Sequence, residues 1–273
     1  MIRTDAHHHV WRLARGDYGW LTPDLAIHRD YGLADLRPLL GDVTATVLIQ
    51  AAPTEAETDF MLETARGSGG LVRAVVGWTD LASPAAPDRI AAWRGEPLLK
   101  GLRPMLHDLP NTDWILQDTV RPALRAMAAA GLRLDALVRP GHLGAILALA
   151  QRVPDPRIVV DHAGKPDIEG GAFQPWASDM ARLARETGAC CKLSGLVTEA
   201  GPAWQRDDLR RYADHVLECF GPDRVMWGSD WPVVDLAGGY QRWRETALEL
   251  IPLSARDAVL GGTAALFYGI EGG

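Results

Sequence analysis

Residues 43–66 read VTATVLIQAAPTEAETDFMLETAR, and this stretch contains the unit from which the whole chain is predicted to be built. It begins with Val43 to Gln50, an apolar and β-branched run that is typical of a strand covered on both faces. After a short turn, Thr54 and Glu57 have the spacing of a helix capping box, and the helix is expected to end near Arg66. A buried strand followed by an amphipathic helix is the repeating unit of a parallel α/β fold.

Seven further runs of this kind occur along the chain. They are Thr4 to Val10, Leu71 to Trp78, Leu99 to Pro104, Leu132 to Val138, Arg157 to His162, Ala189 to Ser194 and Val225 to Asp230. Helical segments separate the runs, and no change of composition or low-complexity tract marks a linker. Eight strands alternating with helices in 273 residues predict a (β/α)8 TIM barrel with a parallel eight-stranded sheet, formed as a single domain over residues 1–273.

Charge and hydrophobicity indicate the kind of partner. The formal net charge is −7 and the isoelectric point is near 5.6, and the chain has no basic run that would favour nucleic acid or an anionic membrane surface. No stretch approaches the roughly 20 apolar residues of a membrane span, and the first residues lack the apolar core of a signal peptide. We therefore expect a cytoplasmic protein with a small-molecule partner. The oligomeric state stays open, a homo-oligomer included.

The first predicted strand contains a pair of alternating histidines. Because alternate side chains of a strand share a face, Asp5, His7 and His9 are expected to point the same way. Two imidazoles at the mouth of a barrel would be costly to bury without a partner. A ligand or catalytic role is therefore favoured over a tag remnant or an ordinary polar strand end.

Two other predicted strands end in residues that can do chemistry. The eighth ends at Asp230, within Trp227-Gly228-Ser229-Asp230-Trp231-Pro232. Barrel closure places strand eight beside strand one, so Asp230 is expected near His7 and His9 at the carboxyl-terminal face, where barrel active sites lie. The sixth strand ends at His162, which is expected to bring a third imidazole to the same face.

Taken together, four segments resemble the amidohydrolase superfamily. They are Asp-x-His-x-His-x-Trp at residues 5–11, Gly101 to Met105, Asp161-His162-x-Gly-Lys165 and Trp227 to Pro232. More narrowly, they resemble its lactonase-type branch, which contains sugar lactonases, such as those for L-fucono- and L-rhamnonolactone, and 2-pyrone-4,6-dicarboxylate lactonases. The resemblance covers nearly the whole chain. It implies a barrel hydrolase that opens the ester ring of a lactone, most readily a sugar-acid lactone, and a place in carbohydrate catabolism.

The resemblance also implies roles for individual residues. Asp230 would be the general base, and His7, His9 and His162 would surround the scissile carbonyl. A single divalent ion, with zinc the first candidate, would bind to His7, His9 and Asp230, but similar branches also work without metal, so the requirement is open. Members with two metals resemble one another in a strand-four Lys or Glu and a strand-five histidine. This chain has Lys100 only at the start of strand four and no histidine over residues 132–138, which argues against a two-metal centre.

Further side chains are expected to bind the substrate. Arg103 and Arg139 follow strands four and five and can offer cations to carboxylate or polyol oxygens. Lys192 would be expensive to bury without a partner, so a role in the site is expected for it too. The remaining expected pocket residues are Gln50, Trp78, Trp231 and Trp20, the last in a loop over residues 11–30 that is long for a plain connection. His107 stands where similar proteins often have glutamine.

Other functions remain open at this stage. A single-zinc decarboxylase of the same superfamily would use the same histidines and Asp230, although the missing strand-five histidine counts against it. A hydrolase of cyclic amides would need the same activation of water. A barrel kept only as a binding module would be expected to have lost the aspartate or the histidines at the strand ends, and all of them are present.

Overall fold

The computed structural model describes residues 2–152 and 157–270. All eight predicted strands are present in it, and neighbours along the chain pair in parallel in the order β1 to β8. The strands are β1 Thr4–His8, β2 Ala45–Ile49, β3 Val72–Gly77, β4 Leu99–Leu102, β5 Arg133–Ala136, β6 Ile158–Val160, β7 Cys190–Leu193 and β8 Val225–Trp227. The predicted (β/α)8 barrel is therefore confirmed. The prediction of one domain over 1–273 includes residues outside the described ones and stays a prediction.

The barrel closes through residues that follow β8. That strand ends at Trp227, and the chain then turns so that the Asp230 amide donates to the His7 carbonyl oxygen at 2.8 Å. The His9 amide donates to the Trp231 carbonyl oxygen at 2.7 Å, and His8 forms a parallel bridge with Trp231. Closure thus joins the two predicted catalytic segments directly, backbone to backbone.

Helices connect the strands. They are α1 Leu33–Leu36, α2 Glu55–Arg66, α3 Ala86–Ala92, α4 Arg121–Ala129, α5 Leu143–Arg152, α6 Trp176–Glu186, α7 Leu196–Glu199, α8 Arg206–Phe220, α9 Gly239–Leu250 and α10 Thr263–Tyr268. At the start of α2, the Thr54 hydroxyl accepts from the Glu57 amide at 3.1 Å, as predicted. The other half of the capping box is absent, because the Glu57 carboxylate accepts from the amides of Ala51 and Ala52 instead.

The core has two layers. The larger lies between the sheet and the helices. The smaller fills the barrel with side chains such as Val47, Val76 and Met226, and Tyr268 of α10 packs among them. Filling the barrel with small and branched residues leaves a packed interior, so any substrate must bind at one end of the barrel.

A β-bulge changes which residues of β1 face inward. Asp5 is paired with Thr46, whereas His8 is paired with Leu48, so β1 has one residue more than β2 over this interval. The bulge places Ala6 with the inner core, and the Asp5 charge acts on Arg244 and Tyr240 of α9 on the outside. The expectation that Asp5 shares a face with His7 and His9 was therefore wrong, because a bulge breaks the alternation of a regular strand.

Among residues 2–152 and 157–270, no single helix is long and apolar enough to cross a membrane. The segments Gly239–Leu250 and Leu253–Tyr268 reach the required length and composition only as a pair, with a bend of 110° between them.

Candidate active site at the barrel mouth

Four predicted site residues converge at one end of the barrel. His9 Nε2 lies 3.2 Å from His7 Nε2 and 3.3 Å from Asp230 Oδ1. Asp230 Oδ1 lies 3.6 Å from His7 Nε2 and 3.9 Å from His162 Nε2. All four side chains are buried or nearly so. Strands one, six and eight thus deliver three imidazoles and one carboxylate to a shared point.

The backbone at this site is held in an unusual conformation. His162, Ala163, Lys165 and Asp230 have φ values of 53°, 51°, 51° and 59°, and they are the non-glycine residues with positive φ among those the structure describes. Left-handed backbone costs roughly 1–2 kcal/mol for a residue with a Cβ. Such strain clusters at functional sites, where the surrounding structure holds it in place. The coincidence of this strain with the convergent side chains makes the mouth of the barrel the candidate functional site.

Two glycines make room for the histidines. A Cβ on Gly195 would lie 2.6 Å from the His162 ring, and a Cβ on Gly228 would lie 2.6 Å from the His7 Cβ. Neither distance is compatible with van der Waals contact, so both positions require glycine. Gly195 also has a φ of 65°, which a side chain would strain.

Hydrogen bonds to the outer nitrogens orient two of the imidazoles. His9 Nδ1 lies 2.8 Å from the Ile49 carbonyl oxygen, which can only accept, so His9 carries a proton on Nδ1, and a neutral ring would keep a lone pair on Nε2. His7 Nδ1 lies 3.1 Å from Lys192 Nζ, which can only donate, so the neutral ring keeps its proton on Nε2. In that tautomer the His7 Nε2 proton is directed at His9 Nε2, 3.2 Å away, and Arg103 Nη1 lies 3.4 Å from the same His7 nitrogen.

A network of buried charges lies behind His7. Lys192 Nζ is 2.6 Å from Asp135 Oδ2 and 3.0 Å from Asp161 Oδ1, and all three side chains are fully buried. The Tyr268 hydroxyl donates to Asp135 Oδ2 at 2.6 Å, and Arg103 Nη1 lies 3.4 Å from Asp161 Oδ2. The network holds the Lys192 ammonium beside His7 Nδ1, on the side of the ring that faces away from the mouth of the barrel.

Burial and charge set the protonation of the site. Burial raises the pKa of Asp230 on its own, but the interactions with His162, His9 and Lys165 outweigh it and hold that pKa below its ordinary value. Burial and the neighbouring Lys192 charge lower the pKa of His7, and burial also lowers the pKa of His162. At neutral pH the site therefore combines an ionised Asp230 carboxylate with neutral His7 and His162 imidazoles.

The donor set at Asp230 also fits a metal ion. Tetrahedral zinc with ligands about 2.0–2.1 Å away separates those ligands by roughly 3.3 Å. The three separations among His7, His9 and Asp230 are 3.2, 3.3 and 3.6 Å. His9 Nε2 and Asp230 Oδ1 lie 3.3 Å apart, close enough for both to be ligands of one cation. Binding of zinc to this set would displace the proton that Lys192 favours on His7 Nε2.

The pocket above these residues is small and mixed in character. It encloses about 180 Å³ and has His9, His162 and Asp230 among its lining residues. The other residues that line it are Trp20, Ala51, Arg103, Met105, His107, Asp108, Leu137, Lys165 and Val233. Apolar and polar side chains both contribute, as in sites that bind one small polar molecule.

Of the residues expected to bind substrate, two line the pocket. Trp20, from the long loop over residues 11–30, donates its Nε1 proton to the Ala51 carbonyl oxygen at 2.7 Å, which fixes its ring. Arg103 also lines the pocket, but its guanidinium is bound to Gln50 and lies beside Asp161.

The other expected contacts do not lie on the pocket wall. Lys192 and Gln50 are fully buried behind it, and Gln50 serves as the acceptor for Arg103. Trp231 is buried and packs its ring against Tyr31 at 5.2 Å. Trp78 is half-buried and Arg139 is exposed, and neither lines the pocket. These placements do not support direct substrate contacts for the five residues.

Several pocket residues had not been singled out from the sequence as substrate contacts. Met105 and His107 follow β4, Leu137 follows β5, and Lys165 and Val233 follow the predicted catalytic segments. Each follows a barrel strand on its carboxyl-terminal side, where active sites form. That position is the sequence signal that could have identified them, together with the rarity of lysine, which occurs only at positions 100, 165 and 192.

Comparison with known proteins extends over nearly the whole chain. A family model described as amidohydrolase matches residues 4–270. An L-fucono-1,5-lactonase from Burkholderia ambifaria is 44% identical, over 99% of this chain and 96% of that protein. An L-fucono-1,5-lactonase from Burkholderia multivorans is 36% identical, over 98% of this chain and 96% of that protein. A crystal structure of an amidohydrolase from Burkholderia multivorans with bound zinc is 34% identical, with a TM-score of 0.91 over 99% of this chain and 100% of that one.

Proposed function

The chain belongs to the amidohydrolase family, and from that premise we propose that it is a hydrolase that opens the ring ester of a sugar-acid lactone. The observation that carries the proposal is the convergence of an ionised Asp230 with the imidazoles of His7, His9 and His162 at the floor of one pocket, which His9, His162 and Asp230 line. Hydrolysis of a lactone needs water to be deprotonated, the carbonyl to be polarised and the leaving alkoxide to be protonated. Relatives that are 44% and 36% identical are L-fucono-1,5-lactonases, which supports a sugar lactone as the substrate.

The size of the pocket supports a substrate with a single ring. Its volume of about 180 Å³ is below the roughly 300–1,000 Å³ of pockets that take drug-sized ligands. Trp20, Met105 and Val233 give it apolar surface, and His107 and Lys165 give it polar groups. A hydroxylated six-membered ring presents both kinds of surface to its surroundings.

In the proposed reaction, Asp230 moves the proton. Its carboxylate accepts a proton from water while the water oxygen attacks the lactone carbonyl carbon, which forms a tetrahedral oxyanion. Asp230 then returns that proton to the ring oxygen as the ring carbon–oxygen bond breaks. The product is a hydroxy acid, whose ionisation at neutral pH releases one proton to the solvent. The low pKa of Asp230 keeps the carboxylate ionised before each turnover.

The imidazoles orient the reactants and stabilise the oxyanion. His162 Nδ1 lies 2.9 Å from the Ser194 hydroxyl; if that hydroxyl donates, His162 carries its proton on Nε2, the atom 3.9 Å from Asp230. We assign this Nε2 proton to the developing oxyanion, because a fixed donor in a buried site is worth more than one in water. His9 Nε2 lies 3.3 Å from Asp230 Oδ1 and helps to hold that carboxylate in place.

His7, His9 and Asp230 are also the residues that would hold a zinc ion in this proposal. Such an ion supplies a Lewis acid and lowers the pKa of bound water to about 7. Support comes from the spacing of the three donors and from the relative whose crystal structure contains zinc.

Four other expectations from the sequence stay predictions. They are a small-molecule substrate as the partner, a cytoplasmic location, a single domain and a homo-oligomer.

Hydrolysis of L-fucono-1,5-lactone, followed with a pH indicator, tests the function. We expect proton release well above the spontaneous rate, and no excess over that rate with any sugar lactone would overturn the proposal. Treatment with a chelator, with bound zinc measured by mass spectrometry, tests the metal separately. Loss of zinc together with activity, and recovery of both on adding zinc, would support a zinc enzyme, whereas full activity without zinc would exclude it.

A further inference from the structure

The charges around the pocket carry information about which lactones it accepts. Lactones differ in whether they bear a further carboxylate, and a carboxylate needs an available cation or several free donors when it enters a buried site. The pocket has two cations among its lining residues, Arg103 and Lys165. Whether these two cations are free to bind a carboxylate therefore determines whether the pocket accepts a charged or an uncharged lactone.

Arg103 is occupied by the protein. Its Nε donates to Gln50 Oε1 at 3.1 Å, and Nη2 donates to the same oxygen at 2.8 Å and to the Gln50 carbonyl oxygen. Its Nη1 lies 3.4 Å from Asp161 Oδ2, and the side chain is only 4% exposed. The bidentate fork that would recognise a substrate carboxylate is thus turned toward Gln50 and Asp161.

Lys165 is also neutralised. Its ammonium donates to Glu199 Oε1 at 2.5 Å, and the two side chains are only 17% and 20% exposed. Asp108 and Asp230 add two further carboxylates to the lining. Among the described residues that line the pocket, no cation lacks an anionic neighbour, so a second carboxylate on the substrate would enter an environment that is already anionic.

His107 differs from these ion-paired residues, because it offers an uncharged hydrogen-bond acceptor. Its side chain is 16% exposed and lines the pocket, and its Nδ1 is buried without a hydrogen-bond partner. Burial and the charges of Lys165, Arg103 and Arg139 lower the pKa of His107 to about 3, so the ring is neutral. The Asp108 carboxylate lies 3.3 Å from Nε2 and favours the proton there, which leaves a lone pair on Nδ1. A buried acceptor of this kind needs a donor, and a hydroxyl group supplies one.

We propose that the pocket selects uncharged, hydroxylated lactones, with His107 Nδ1 accepting a hydrogen bond from a substrate hydroxyl and the Lys165–Glu199 pair excluding a second carboxylate. The inference rests on the proposed function, since it specifies the substrate class of the same site. His107 is thereby a specificity-determining residue. Glu199, which does not line the pocket, sets its charge through Lys165.

The first test compares substrates that differ in their hydroxyl groups. His107→Leu removes the acceptor, and its loss of kcat/KM for L-fucono-1,5-lactone should exceed its loss for δ-valerolactone, which has no hydroxyl, by about 3- to 10-fold. His107→Asn places an amide oxygen near the former Nδ1 and should restore part of the difference. Equal losses for the two lactones, or no recovery in His107→Asn, would overturn the assignment to His107.

The second test changes the charge of the pocket. The wild type should hydrolyse D-galactaro-1,5-lactone, which carries one free carboxylate besides its ring ester, at least about 10-fold less efficiently than L-fucono-1,5-lactone, which carries none. Glu199→Gln leaves Lys165 unneutralised, so it should raise the ratio of the two kcat/KM values in favour of the anionic lactone by about 10-fold, the effect of one charge-assisted hydrogen bond. An unchanged ratio would refute the charge argument. Failure of the wild type on both lactones would instead refute the proposed function.

Discussion

Replacing Lys192 with methionine should destabilise the barrel strongly. Methionine keeps the length of the side chain but removes the charge that holds Asp135 and Asp161 at 2.6 and 3.0 Å. Breaking a fully buried ion pair by removing one partner costs about 3–5 kcal/mol. Since about 1 kcal/mol shifts the melting temperature of a protein this large by roughly 2–4 °C, we expect a decrease of about 10 °C.

The loss of stability in Lys192→Met should depend on pH. Burial already raises the pKa of Asp135, and Lys192 is the strongest influence that lowers it, so the variant raises this pKa further. A carboxyl group with a raised pKa in the folded state loses stability as pH rises from its unfolded value through its folded value. The deficit relative to wild type should therefore be larger at pH 8 than at pH 5.

Urea denaturation at pH 5 and pH 8 measures both effects. Arg121→Met is a control, because its ion pair with Asp118 is exposed to solvent and should contribute less than about 1 kcal/mol. Adding Asp135→Asn to Lys192→Met should recover part of the lost stability, since it removes the carboxylate left without a cation. A decrease below about 1 kcal/mol in Lys192→Met, or an equal decrease at the two pH values, would refute the reasoning.

Three further predictions concern the site and β1. Gly195→Ala should lower kcat by at least about 10-fold, since its Cβ would displace the His162 ring from a distance of 2.6 Å; unchanged turnover in steady-state assays would contradict the packing argument. His9→Ala should lower kcat far more than the melting temperature, and equal damage to both would indicate a structural role. Burial raises the pKa of Asp5 to about 6, so wild-type stability should carry a component that is lost as pH rises from about 4 to 6. Urea midpoints of Asp5→Asn should lack this slope, and an unaltered slope would contradict it.

The barrel and its closure could be predicted from the sequence because they depend on local patterns. Continuous apolar runs such as those containing β2 and β3 predict strands covered on both faces, and eight of them predict the barrel. The position of Asp230 beside His7 then follows from closure alone. The bulge in β1 could not be predicted, because a regular alternation of side chains was assumed, and the face of Asp5 was wrong for that reason.

How deeply each side chain lies in the site, and which way it points, was harder to predict. The cost of burying Lys192 pointed to a partner, and the structure shows that its partners are Asp135, Asp161 and His7 behind the pocket. Arg103 was expected to face the substrate, but Gln50, which follows β2, two strands away around the barrel, is a competing acceptor. Such pairings join residues far apart in the chain, so no local pattern reports them.

The most direct test of the account is the rate of L-fucono-1,5-lactone hydrolysis by Asp230→Asn, corrected for spontaneous hydrolysis. Asparagine preserves the shape of the side chain but cannot accept and return the proton. We expect kcat/KM to fall by about 10²- to 10⁴-fold, with the melting temperature within a few degrees of wild type. Asp235→Asn, a nearby carboxylate that does not line the pocket, should retain nearly full activity. Asp230→Asn with activity close to that of wild type would contradict the claim that this carboxylate activates the water.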